Sequence, residues 1–228
     1  TFSFGWKLVP LVAQPARGEK GMARHARRGI FRVMPKDNRA IEGLSFLEGK
    51  LLIAMPGMSD PRFEKSVILM CAHSAEGAMG LIVNKPIEGL GFRDLVENME
   101  IRVTRNGPDS PVLFGGPVET SRGFVLHSAD YEAGQATMPV TEDVSLTATL
   151  DILREMAEGR GPDKAVFALG YAGWGPGQIE DEIRLNGWVH CDADSKIIFN
   201  PDFNGKWSAA LRQLGIDLSV LSHHTGRA

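Results

Sequence analysis

Between Val67 and Val83 two apolar runs follow one another, and neither has a polar face. In the first, Val67, Leu69 and Cys71 alternate with Ile68, Met70 and Ala72, so an extended chain here is apolar above and below. Such a strand needs material packed on both sides. The second run, Ala78–Val83, has the same character. Ser74-Ala75-Glu76-Gly77 joins them, a short link ending in glycine, and predicts a hairpin of 66–73 with 78–84. Gly80 within the second strand marks a bulge or the close approach of another backbone. A third run, Leu51–Met55, is closed by Pro56-Gly57, and Asn84-Lys85-Pro86 closes the hairpin.

The remaining chain reads as material packed onto this sheet. Phe92, Leu95, Val96 and Met99 fall at helical spacing opposite Arg93, Asp94, Glu97 and Asn98, which predicts a helix over 92–99. Short strands follow at Val112–Phe114 and Gly123–His127, with Ser121-Arg122-Gly123 as a loose joint and Ala136–Val140 as an edge segment. Thr141–Glu158 reads as a helix with an acidic start and Leu146, Leu150, Leu153 and Met156 along one side. Lys164–Leu169 is a buried strand, followed by a glycine-rich loop over Gly170–Gly177 and a helix from Pro176 to Leu185. Trp188–Cys191 and Ile197–Phe199 read as late strands, Lys206–Leu214 as a last amphipathic helix, and 221–228 as a polar tail.

Charge divides the chain. Residues 1–40 hold nine Lys or Arg against Glu19 and Asp37, a balance of +7, so the net −3 leaves −10 on the rest. The first 40 residues are expected to be a disordered basic extension. They read as a nucleic-acid or anionic-lipid arm, as an organelle-targeting peptide, or as an extension without function upstream of a start at Met22 or Met34. Residues 41–228 are expected to form a single domain. Its acidity argues against DNA binding by the folded body. Leu8–Ala13, interrupted by Pro10, is too short for a secretory signal, and no apolar run reaches the ~18 residues that would span a bilayer. Two cysteines, Cys71 and Cys191, suit a reducing cytosol.

No stretch carries an established catalytic motif. The Gly170–Gly177 loop matches neither G-x-G-x-x-G nor a P-loop, and Glu180, Asp181 and Glu182 in the following turn would repel phosphate. Cys71 and His73, two apart on a strand, should share a face, but they and His127, His190 and Cys191 lack zinc-site spacing. No metal and no cofactor is expected. His73 and His127 could meet across the sheet near Glu180 or Glu182 as an acid/base pair; strand histidines bonded to backbone carbonyls are the commoner case. Arg62 and Phe63, after Asp60-Pro61, could line a pocket mouth, and Asn84 reads as a turn or capping residue.

Three long motifs occur in order: MPGMSDPRFEKSVILMCAHSAEGAMGLIVNKP from Met55, FGGPVETSRGFVLHS from Phe114, and GYAGWGPGQIEDEIRLNGW from Gly170. Together they resemble the YqgE/AlgH family of bacterial proteins, over about Leu47 to Leu214. The resemblance implies an α+β fold of coiled, bifurcating, mostly antiparallel sheets with helices outside. It also implies a cytosolic protein linked to transcriptional regulation, with no established biochemical activity. Mapped onto this chain, the polar motif residues His73, Asn84, His127, Gln178, Glu180 and Asn186 form a candidate cleft, with Arg62 and Trp174 as further binding candidates. No helix-turn-helix pattern accompanies them. The sequence therefore points to a non-catalytic regulatory or protein-interaction domain acting on transcription through another protein. The alternative is a hydrolase using His73, His127 and Glu180. Oligomeric state is not encoded in any motif.

Overall fold

A computed structural model describes residues 46–104 and 107–216. The basic extension, residues 105–106 and the polar tail lie outside the described residues. The first hairpin pairs β2 (Val67–Ser74) with β3 (Gly77–Ile82), Ser74 facing Gly77. β1 (Lys50–Ala54) lies on the other side of β2. Every residue of β3 and six of the eight in β2 are buried. Val67, Leu69 and Cys71 join one core, and Ile68 and Met70 the opposite one, as a strand apolar on both faces requires.

The pairing slips between Met70 and Ala72, leaving Cys71 as an extra residue opposite Gly80. A Cβ on Gly80 would stand 2.6 Å from Ile68 Cγ2 and 2.9 Å from the Leu69 carbonyl, so this glycine serves both the bulge and the close approach. The bulge resets the alternation. Ala72 packs with Cys71 on the first core, and His73 turns to the second. Cys71 and His73 consequently do not share a face, contrary to simple strand periodicity.

The remaining strands are β4 (Pro86–Gly91), β5 (Pro111–Phe114), β6 (Val118–Ser128), β7 (Thr137–Pro139), β8 (Val144–Thr147), β9 (Ala165–Trp174) and β10 (Trp188–Asp192). The main sheet runs β10-β1-β2-β3-β9-β6-β8-β7, antiparallel throughout, and β5 adds to β9 in parallel with β4 beyond it. β9 is where the sheet forks. On one side it pairs with β6; on the other, Ala168 and Leu169 pair with β5 while Ala172–Trp174 pair with β3. Gly115, just after β5, closes the fork: its N–H donates to Leu169 O and its carbonyl accepts from Ile82 N–H.

Among the described residues five α-helices cover the sheet: α1 (Phe92–Glu97), α2 (Leu150–Ala157), α3 (Gln178–Arg184), α4 (Ser195–Ile198) and α5 (Gly205–Gln213). α4 and α5 bury Ile197, Ile198, Trp207, Ala210 and Leu211 on one face of the hairpin; α3 covers the other through Ile179. α1 and α2 pack on β5, β6 and β9 through Phe92, Val96, Ile152, Leu153 and Met156.

Four readings are corrected. Val144–Thr147 is a buried strand rather than the first turns of a helix; its β-branched residues pair with β6, and the helix begins only at Leu150. Gly170–Trp174 is strand, not loop, because β3 and β6 supply it with partners. Ile197–Phe199 belongs to the short helix α4 and its C-cap, with the Asp194 carboxylate accepting from Lys196 N–H at the start. Ser121-Arg122-Gly123 is not a loose joint but lies inside β6, whose register against β9 shifts between Val118 and Gly123.

Lys206 on α5 is only 1% exposed. Its Nζ donates to Val83 O at 2.8 Å and Ile198 O at 2.6 Å, and lies 4.5 Å from the centre of the Phe203 ring. A neutral amine still makes both carbonyl bonds with its two protons, so burial pushes the pKa down to about 7 without breaking them. The unfolded chain holds its lysine proton up to about pH 10.4, whereas the folded chain gives it up from about 7. Between these values the unfolded state binds more protons, so stability rises with pH. The expected gain across that window is about 1 kcal/mol per pH unit. Urea titrations from pH 7 to 8, below the range in which ionisation of the unfolded Cys71 thiol opposes the trend, should show this rise in the natural protein and its loss in Lys206→Met.

Candidate functional site

His73, Ala78 and Trp174 form one transverse row across β2, β3 and β9. The chain leaves β9 at Trp174, turns through Gly175–Gly177 and folds back as α3, which brings Glu180 to His73. Their side chains are 3% and 5% exposed, and His73 Nε2 lies 3.0 Å from Glu180 Oε1. The other ring nitrogen settles the tautomer. Leu47 N–H donates to His73 Nδ1 at 2.9 Å, so Nδ1 carries a lone pair and Nε2–H donates to the carboxylate. Phe46 meets the imidazole edge-on at 5.3 Å. Glu180 Oε2 is buried without a hydrogen-bond partner among the described residues.

Two residues further along α3, Glu182 accepts from three side chains. Trp174 Nε1–H (3.1 Å) and Trp188 Nε1–H (2.7 Å) donate to Oε2, and Gln178 Nε2–H (2.8 Å) donates to Oε1. Gln178 Oε1 accepts from Gly175 N–H, tying the turn to the helix. Phe63 lies against both indoles, stacked on Trp174 and edge-on to Trp188. Arg62 is exposed, pairs with Asp60 and rests over the Phe63 ring. Asn186 takes a left-handed conformation, φ 57°, and ends α3; the following Gly187 carbonyl accepts from Met55 N–H. Asn84 Oδ1 accepts from Val67 N–H and its Nδ2 donates to Lys65 O, fastening the open end of the hairpin.

His127 is elsewhere. It faces Ala165 at the start of β9, nine residues from Trp174 and about 30 Å along the strand. Its Nδ1–H donates to Ser128 O, and Nε2 accepts from Thr147 Oγ1, itself 2.9 Å from Thr137 Oγ1. Burial pushes the imidazole pKa down, which suits this neutral tautomer. The structure thus brings Glu180 to His73 and gathers Trp174, Gln178 and Arg62 nearby through Glu182 and Phe63. It does not bring His127 into the group.

Among the described residues no three His, Cys, Asp or Glu side chains are grouped to hold a metal ion. Cys71 is enclosed, and burial pushes its thiol up to about 12, which leaves it inert at neutral pH. An open surface hollow is lined by Glu97, Glu100, Ile101, Arg102 and Val103, and no candidate residue reaches it. Glu182 is the centre of the cluster that sequence reasoning undervalued. The signal was its four-residue spacing from Gln178 on a short helix between two tryptophans.

A forked antiparallel sheet with outer helices, and a polar cluster closed at α3, define an α+β scaffold of the AlgH type. The chain belongs to the AlgH-like family (DUF179), whose model matches residues 51–219. It is 52% identical over 193 residues to a UPF0301 protein of Afipia carboxidovorans, covering 82% of this chain and 92% of the relative. It is 55% identical over 186 residues to a UPF0301 protein of Paracoccus denitrificans, covering 81% and 98%. The solution structure of the AlgH protein from Pseudomonas aeruginosa superposes with a TM-score of 0.65 at 35% identity, covering 87% of this chain and all of that one. Protein DIP2367 of Corynebacterium diphtheriae shares the fold, with a TM-score of 0.62 at 19% identity, covering 79% and 92%. No helix among the described residues is long and apolar enough to cross a membrane.

Proposed function

We propose that this AlgH-like chain is a non-catalytic protein-interaction domain of the cytosol, and that any effect on transcription passes through a protein partner. One observation carries the reading: the side chains of His73, Asn84, Gln178 and Glu182 are engaged with one another, with Glu180 or with the backbone, and only Glu180 Oε2 in that cluster has no partner among the described residues. Both ring nitrogens of His73 and of His127 are bonded, so neither offers a free lone pair as a general base. Both oxygens of Glu182 and both ends of the Asn84 amide are likewise occupied. The hydrolase alternative needs His127 beside His73, and about 30 Å of strand separates them.

The cluster stiffens the surface above it. The 55–63 loop and the end of α3 are joined by the Met55–Gly187 bond and by Phe63 on the two indoles. This platform presents Leu185, 81% exposed, next to Asn186 at the end of α3. A preorganised apolar knob with a polar rim suits a protein partner, because little ordering cost attends binding. The acidity of the chain beyond its first 40 residues, −10, argues against direct DNA contact.

A photo-crosslinking side chain placed at Leu185 in cells should give a discrete adduct with another protein. The same group at Asp151 on α2 should not. Absence of any adduct at Leu185, or identical adducts at both positions, would count against the reading.

A further inference from the structure

Among the described residues β10 is the terminal strand of the sheet and pairs only with β1. Two hydrogen bonds fix which of its groups look inward. Met55 N–H donates to Gly187 O at 3.0 Å, and Ala193 N–H donates to Gly49 O at 3.3 Å. With Ile53 facing Val189 and Leu51 facing Cys191, the backbone groups of 189 and 191 are directed at β1, as are the Gly187 carbonyl and the Ala193 N–H, while the Gly187 N–H donates to Glu182 O. Antiparallel alternation then turns the N–H and C=O groups of Trp188, His190 and Asp192 outward.

The other edges are blunted. β7 has three residues and ends in Pro139; β4 starts with Pro86, contains Gly89 and Gly91, and pairs irregularly. β10 has five residues with no proline, glycine or lysine. It is also held firmly from both faces. Val189 and Cys191 pack on the α4 and α5 side, and Trp188 is buried on the α3 side under Glu182. Asp192 carries the only carboxylate of the strand and is neutralised by Lys50.

We propose that this edge pairs with the same edge of a second copy, with β10 antiparallel to β10 about a two-fold axis through His190. Three outward residues centred on His190 are self-complementary. His190 faces His190 of the second copy, and Trp188 faces Asp192 of the second copy. Each pair exchanges two bonds, about six between the chains. Both strands are already rigid, so no segment has to be ordered on association; an extended peptide from another protein would bear that cost. The two sheets become one continuous sheet, and the contact is isologous, so it closes at the dimer.

Sedimentation equilibrium of the full chain should show a monomer–dimer equilibrium with Kd at or below about 100 μM. His190→Pro removes an outward N–H and leaves the β1 ladder intact, so it should be folded by circular dichroism and monomeric. If that variant fails to fold, His190→Lys sets two like charges together at the axis and should raise Kd at least tenfold. In a Cys191→Ser background, His190→Cys should form a disulfide-linked dimer under mild oxidation. Facing Cα atoms at such a pair are about 5.5 Å apart, within disulfide range. Asp151→Cys, on α2, which packs on β5, β6 and β9, should not. A natural chain that stays monomeric up to about ten times that concentration overturns the proposal. So does a dimer that survives His190→Pro in folded protein or His190→Lys, or crosslinking that is equal at 151 and 190.

Discussion

Replacing Gly116 with alanine is expected to lower stability by about 3–5 kcal/mol, which is a fall of about 10 °C in melting temperature for a body of this size. Gly116 has φ 152°, and a Cβ there would stand 2.1 Å from Tyr171 C and 2.3 Å from Ala172 N. Those are backbone atoms of β9, which cannot yield without disturbing the pairing of Ala172 with Gly80 and Tyr171 with Val118. Neighbouring glycines meet the same fork. A Cβ on Gly115 would lie 2.3 Å from Gly170 O, and one on Gly170 would lie 2.4 Å from Gly116 O. The link after β5 and the bend of β9 touch backbone to backbone, so the sheet can divide there only if all three side chains are absent. Gly57 has no atom within 4 Å of its would-be Cβ, so Gly57→Ala is expected to change stability by less than about 0.5 kcal/mol. Thermal melts of both variants, run side by side, check the contrast.

The second large effect is expected at Glu182. Alanine there removes the acceptor for the Trp174 and Trp188 indoles, whose residues are only 5% and 2% exposed. Two donors left unpaired should lower stability by about 2–4 kcal/mol. Glu182→Gln keeps one oxygen able to accept from both indoles and should lose about 1 kcal/mol. Urea unfolding followed by tryptophan fluorescence measures both. Equal losses in the two variants would show that the carboxylate acts by its charge and not as the shared acceptor.

Much of the fold was legible because burial on both faces leaves a clear imprint. The hairpin from Val67 to Ile82, β1, α1, β5 and α5 follow from apolar runs, helical spacing and turn residues that agree with one another. The failures share a cause. Val144–Thr147 and Gly170–Trp174 are strands because distant segments pair with them, and a local reading of Thr141-Glu142-Asp143 or of glycine spacing cannot register those partners. The site was legible only in part. His73 and Glu180, 107 residues apart, meet because Cys71 bulges; without that extra residue, strict alternation would turn His73 to the opposite core. No feature of the sequence announces the bulge except Gly80, which the strand reading did flag. His127 was grouped with His73 on residue type alone, and strand order separates them.

The central claim is that the polar residues of the α3 cluster hold the scaffold closed and that His73 is a structural tie with no ring nitrogen free for chemistry. His73 tests it most directly, since its tautomer distinguishes a structural tie from a free imidazole. Long-range proton–nitrogen correlation spectra of the imidazole at neutral pH should show Nε2 protonated and Nδ1 unprotonated in a single, slowly exchanging form, because Leu47 N–H and the Glu180 carboxylate fix both ends. A ring protonated at Nδ1, or one averaging rapidly between tautomers, would contradict the account and return His73 to the list of available catalytic groups.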